Sequence, residues 1–214
     1  MKVLGLDLSL RATGVCLLDG EPGGERMLRT WLFSKPQVKG VEAKVRRLIS
    51  IAEDLVNLVE EECPDHICIE APAKNQKWQA AAIGEVHGVI KVQIFLATGI
   101  VPMVKESTEM RKGVIGKMDK VLEVVKSKDK NGKEVSKKRW SYGTIPGKRG
   151  KPIKATIKDV IEQRLKERGL EFPSQDEMDA YVAAEFCWGK VTPVRCVADE
   201  KEKTKNERAQ SGAG

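Results

Sequence analysis

Residues 3–8 read Val-Leu-Gly-Leu-Asp-Leu and residues 13–18 read Thr-Gly-Val-Cys-Leu-Leu, two short apolar runs separated by a polar turn. Runs of this length bounded by turn residues are buried strands. Asp19-Gly20 and Pro22-Gly23-Gly24 turn the chain again, toward a third strand near Thr30–Ser34. From Val41, the apolar positions Val45, Leu48, Ala52, Leu55 and Val59 step by four and three, which predicts a helix with one buried stripe ending before Pro64. Residues 66–71 (His-Ile-Cys-Ile-Glu-Ala) make a fourth strand ending at Pro72. Residues 78–98 are apolar over most of their circumference, as in a helix packed on both sides. Ile100–Val104 is a fifth strand, followed by a long polar, basic stretch. Ala155–Arg168 is then a helix closed by Gly169, and Ser174 N-caps a last helix running to about Trp188.

This order, β-β-β-α-β-α-β, a basic insertion, then α-α, implies an α/β fold with a mixed five-stranded sheet flanked by helices. Two hairpins return the third strand to the direction of the first, and helical crossovers keep the fourth and fifth parallel to it. Residues 1–197 read as one domain, with 117–150 as the insertion and 198–214 as a polar, charged, disordered tail.

The chain has 214 residues, 41% hydrophobic and 32% charged, enough for a core without disulfides. No apolar run approaches the roughly 20 residues of a membrane span, and Met1-Lys2 opens no signal peptide. The five cysteines form no CxxC pair, and only His66 and His87 could complete a zinc site. These features imply a reducing, cytoplasmic setting, the host cytoplasm if the chain is phage-encoded. The net charge of +7 is regional: Arg111 to Lys158 holds 16 basic and 4 acidic residues. A concentrated positive region is the electrostatic footprint of a polyanion.

Asp7 ends the first strand and Glu70 the fourth. If those strands are parallel neighbours, both acids leave the same end of the sheet, where open α/β sheets gather their sites. Asp176 and Asp179, three apart, share one face of the last helix. Singly, each has an ordinary explanation: Asp7 could begin a turn, and acids early in a helix favour its dipole. Four carboxylates in one partly dry site repel strongly unless protons or cations neutralise them. Hard oxygen ligands without His or Cys suit Mg²⁺ or Mn²⁺, and two such ions are the usual apparatus for in-line phosphodiester hydrolysis. Glu177 lies on another helix face and is expected to tolerate substitution.

These residues resemble the RuvC-type Holliday junction resolvases of the RNase H-like fold. Leu4-Gly5-Leu6-Asp7 with Arg11, Thr13 and Gly14 is similar to the family's first motif. Ile69-Glu70 with Ala73-Lys74-Asn75, Gly84 and Gly88-Val89 is similar to its second acid and following helix. Val114-Ile115-Gly116 resembles its post-strand loop, and Asp176-x-x-Asp179-Ala180 its final acid pair. The resemblance implies that Asp7, Glu70, Asp176 and Asp179 are catalytic and hold two Mg²⁺ per site, with Mn²⁺ able to substitute. It implies a basic active-site residue at Lys154, with Lys151 close enough to be the match instead. Three departures stand out. Leu8-Ser9 replaces a family glycine; the aromatic after the second acid is missing, leaving Trp78 to stack on an opened base; and 117–150 has no counterpart in short bacterial members, which suggests a phage or divergent branch.

Within the insertion, Asp129-Lys130-Asn131-Gly132 between Val124-Val125 and Val135 is a hairpin-turn signal. Trp140 and Tyr142 lie among Lys137, Lys138, Arg139, Lys148 and Arg149, a mixture suited to phosphates and unpaired bases. Arg11, Lys74, Asn75, Trp78, Arg111, Lys112, Lys117 and Lys151 complete the expected DNA contacts. The expected activity is that of a crossover junction endodeoxyribonuclease of DNA recombination and repair, working as a homodimer on a roughly two-fold four-way junction. The alternatives are another RNase H-like nuclease, acting on RNA–DNA hybrids or other branched DNA, and a catalytically idle DNA-binding protein. An actin-like kinase, whose phosphate loop opens similarly, would need a second domain for which 214 residues leave no room.

Overall fold

A computed structural model describes residues 1–9, 11–36, 38–72, 80–116, 121–128, 134–141, 144–146 and 152–191, with the backbone alone at Ala80 and between 121 and 154. Three strands open the chain: β1 (Lys2–Asp7), β2 (Ala12–Gly20) and β3 (Arg26–Ser34). Helix α1 (Val41–Glu62), β4 (His66–Glu70), α2 (Ala80–Thr98) and β5 (Met103–Lys105) follow, then α3 (Ser107–Ile115). The insertion contributes β6 (Val121–Lys128), β7 (Glu134–Ser141), β8 (Thr144–Pro146) and β9 (Pro152–Lys154), before α4 (Ile157–Lys166) and α5 (Gln175–Val191).

The main sheet has five strands in the order β3-β2-β1-β4-β5. β1 pairs antiparallel with β2, and β2 with β3, while β4 runs parallel to both β1 and β5. Side chains alternate across each strand. Leu4, Leu6, Val15, Leu17, Ile67 and Ile69 therefore join Ile51, Leu55, Val59, Ile90 and Ile94 of α1 and α2 in one core. Val3, Cys16, Leu18 and Cys68 point the other way, into a second core with α3, α4 and the buried length of α5. The same alternation puts Gly5 and Asp7 of β1, Gly14 of β2 and Glu70 of β4 on the α5 face.

Two of those positions must be glycine. A methyl group on Gly5 would overlap the carbonyl oxygen of Ala180, and one on Gly14 would overlap that of Asp176. The backbone of α5 thus rests directly on β1 and β2.

The structure corrects three sequence expectations here. β5 is shorter and later than Ile100–Val104, because Pro102 has no N–H to give a ladder and pairing begins only at Met103. Val114 and Ile115, expected in a loop, close the helix α3, with Gly116 as its left-handed-side cap at φ 76°. Gly113 admits α3 to the core: a methyl group there would lie 2.7 Å from the Phe186 ring. Finally, Ala81–Thr98 is a single helical stretch of 18 residues long and apolar enough to cross a membrane by length and composition, contrary to the expectation of no such run. Val86, Ile90 and Ile94 nevertheless anchor it in the core beside the sheet.

Candidate active site

The register of β1 and β4 ends at Leu6 opposite Ile69, so the next residues, Asp7 and Glu70, leave the sheet side by side. Across the other ladder Asp7 stands opposite Gly14, against which the Asp176 backbone is seated. Asp179, one turn further along α5, is buried. The four acids found by sequence therefore meet at one end of the sheet.

Their electrostatics are those of crowded, partly dry carboxylates. Burial, then the charges of Glu70, Asp179 and Asp176, push Asp7 up to about 8, against a smaller pull from Lys158. Glu70 is raised too, first by burial and then by Asp179, with Arg111 and Lys158 opposing. Asp176 is raised chiefly by burial. Asp7 therefore gives up its proton far less readily than a free carboxyl.

Among the described residues, two cations compensate the cluster. Arg111 of α3 places Nη2 3.0 Å from Asp179 Oδ1 and 3.8 Å from Glu70 Oε1. Lys158 of α4 places Nζ 2.7 Å from Asp179 Oδ2. Burial pulls the Lys158 ammonium down, but its hydrogen bond to Asp179 and the charges of Asp179 and Asp7 outweigh that and raise it. Glu70 Oε2 and the neighbouring Ser107 hydroxyl are both buried and make no hydrogen bond.

The residues fit a hard divalent cation in chemistry. The donors are all carboxylates, burial and then mutual repulsion raise three of the four, and one buried oxygen lacks a partner. Among the described residues no three acidic, histidine or cysteine side chains yet close on a common point. Arg111 and Lys158 supply the positive charge in this arrangement.

Arg111, expected among the DNA contacts, is instead buried and turned onto the acids. Lys154, expected as the positively charged active-site residue, is the last residue of β9, and its side chain lies outside the described residues. Among the described residues the lysine on the acids is Lys158, which sequence reasoning missed. Its signal was present. Thr156 and Asp159 form a capping box that fixes the start of α4, which puts Lys158 in the first helical turn and Lys154 in the preceding strand.

Other expected residues are placed as follows. Arg11 is exposed in the β1–β2 turn, at the same end of the sheet as Asp7. The Ser9 hydroxyl holds that turn: it donates to Ala12 O at 2.5 Å and accepts from the N–H groups of Arg11 and Ala12. The departure from a family glycine is thus matched by a turn-forming side chain. Lys112 is exposed on α3. Lys137, Lys138, Arg139 and Trp140 belong to β7, of which only the backbone is described. Lys74, Asn75, Trp78, Lys117, Tyr142, Lys148, Arg149, Lys151 and the tail 198–214 lie outside the described residues.

Glu177 departs from expectation altogether. It is buried, accepts from Thr30 Oγ1 at 2.7 Å and from Ser174 Oγ at 2.6 Å, and its N–H donates back to Ser174. It ties the start of α5 to β3.

No protein-family model matches this chain, and no curated protein sequence matches it. Solved structures do. The structure of Thermus thermophilus RuvC is similar over 89% of this chain and 95% of its own, with a TM-score of 0.58 and 16% identity. T. thermophilus RuvC in complex with a Holliday junction substrate is similar over 87% and 92%, with the same TM-score and identity. At that identity the likeness is one of fold: the mixed five-stranded sheet with its flanking helices is the RuvC arrangement.

Proposed function

We propose that this chain is a metal-dependent endonuclease that cuts four-way DNA junctions. The observation that carries the reading is the meeting of Asp7, Glu70, Asp176 and Asp179 at one sheet end, crowded enough to push Asp7 up to about 8. An acid cluster so poised is matched to a cationic cofactor and a phosphate substrate rather than to stability. The similar RuvC structure that holds a Holliday junction substrate supports the choice of branched DNA.

Asp7, Glu70, Asp176 and Asp179 would hold Mg²⁺, two ions per site, with Mn²⁺ as a substitute. Bound there, the ions supply Lewis-acid activation of water and neutralisation of charge at phosphorus. The chain's own cations do the rest. Lys158 and Arg111, at the rim and floor of the acids, offset negative charge on the phosphate as it develops, and Arg11 is exposed where it can hold a flanking phosphate. Attack on phosphorus with departure of the 3′ oxygen leaves a 5′-phosphate, and no covalent protein intermediate is needed.

A homodimer completes the reading, since a two-fold junction is cut on two strands. Val92, Phe95 and Leu96 of α2 are 56%, 50% and 71% exposed and share one helix face. An apolar face of this kind on an otherwise anchored helix supports a second copy as its cover.

The test is cleavage of a synthetic four-way junction, with linear duplex, fork and RNA–DNA hybrid as controls. Paired nicks on the junction in Mg²⁺, absent in EDTA and abolished by Asp7→Asn or Glu70→Gln in folded protein, are expected. Preferential cutting of the hybrid's RNA strand would transfer the assignment to an RNase H-type activity. Junction binding without cutting would leave a DNA-binding protein.

A further inference from the structure

The insertion is not a simple loop. β6 and β7 pair antiparallel over eight positions, from Val121↔Ser141 to Lys128↔Glu134. At about 3.4 Å per residue such a ribbon is roughly 27 Å long, or about eight phosphate spacings of one DNA strand. A two-stranded ribbon is also one of the two backbone elements that the DNA major groove admits.

The register sorts its charges. The two strands hold Lys126, Lys128, Lys137, Lys138 and Arg139 against Glu123 and Glu134. Both acids stand opposite a cation, in the pairs Glu123↔Arg139 and Lys128↔Glu134. Lys126 and Lys138 stand opposite Ser136 and Val124, and strand alternation places both on one face of the ribbon, with Lys137 on the other. That face holds Lys126, Lys128 and Lys138 against Glu134 alone, a surplus of two positive charges. Its place in the chain gives that surplus a target. The insertion leaves after α3, which carries Arg111, and returns before α4, which carries Lys158. Both of these residues pair with Asp179.

We propose that the β6–β7 ribbon is a DNA-binding arm, which lies along the phosphate backbone of a duplex arm leading to the acid cluster, with the face that carries Lys126 and Lys138 toward the phosphates. This rests on the nuclease reading for its substrate, but it concerns affinity rather than cutting. A binding test in metal-free buffer therefore separates the two.

The full-length protein is titrated against a four-way junction and an equally long linear duplex, in EDTA, between 50 and 200 mM salt. Each lost phosphate contact lowers the slope of log affinity against log salt by about 0.9, so Lys126→Gln/Lys138→Gln should flatten it by about 1.8. Over that fourfold range in salt the intact protein should then lose about 12-fold more affinity than the variant. Glu123→Gln/Glu134→Gln should act in the opposite direction, tightening binding at low salt, a gain that a misfolded variant cannot imitate. Slopes and affinities that match the intact protein's in both variants overturn the proposal, whatever the cleavage assay shows. An intact protein that binds junctions with this salt dependence yet does not cut them in Mg²⁺ sinks the nuclease reading and leaves the ribbon in place.

Discussion

Lys158 holds its Nζ 2.7 Å from Oδ2 of Asp179, a carboxylate whose side chain is only 3% exposed. A charge so buried is costly unless paired, and this lysine is one of its two cations. Lys158→Ala is expected to lower kcat on junction DNA by about 10²–10³-fold, the usual cost of losing a group that stabilises developing charge. Lys154→Ala should cost far less. Equal losses in the two variants would return the role to Lys154.

Arg111 bridges Asp179 and Glu70 from inside the protein, so its removal strands negative charge where water cannot reach it. Arg111→Ala should lower stability by about 3 kcal/mol, the low end for breaking a buried pair, because Lys158 still serves Asp179. Urea denaturation measures this directly.

Glu177→Gln removes an acceptor from a buried arrangement in which each carboxylate oxygen is already used, by Thr30 and by Ser174. A loss of about 1–3 kcal/mol is expected, read as a lower unfolding midpoint. Unchanged stability would mean that the Thr30 and Ser174 hydroxyls find other partners.

The metal-free protein should become less stable as pH rises from about 6.5 to 8; below that range buried His87, lowered to about 4, contributes a slope of the opposite sign. Asp7 titrates near 8 in the folded chain but near 3.8 unfolded, so between those values the native state holds a proton that the unfolded state has released. One such proton is worth up to about 1.4 kcal/mol per pH unit. Glu70 from β4, Asp176 and Asp179 from α5 and Lys158 from α4 all act on this group, and Arg111 from α3 pairs with Glu70 and Asp179 beside it. Glu70 and Asp176, also raised, add to the same slope. Asp7→Asn should flatten the profile and raise the melting temperature at pH 8. A wild-type profile that rises over this range would contradict the crowding.

Leu96, among the most exposed apolar side chains of α2, offers a test of the dimer. Leu96→Lys should shift the sedimentation coefficient from dimer to monomer while the melting of the monomer changes little. A sedimentation profile that does not move would place the second copy elsewhere.

The sheet was legible because apolar runs and turn residues fix strands one by one, and short hairpins then fix their neighbours. Asp7 and Glu70 followed from that topology alone. The third helix was not legible. Ser107–Ile115 is short and largely polar, and contains Gly113, a residue that argues against helix until Phe186 is seen packed where its side chain would be. Arg111 was misread for the same reason: a basic residue in a basic stretch looks like surface until the helix that carries it turns inward. Glu177 was misjudged because a helical wheel records which face a residue occupies, not that β3 lies against that face.

Gly5 and Gly14 have a consequence for how this chain can change over generations. Because α5 bears on β1 and β2 through main-chain atoms, the spacing of Asp176 and Asp179 from Asp7 is nearly independent of which apolar side chains fill the rest of the core. Substitutions there can accumulate, each compensated locally, without moving the acids relative to one another. The two glycines are the positions where drift is closed, since any side chain would lift α5 from the sheet and carry its acids away from Asp7.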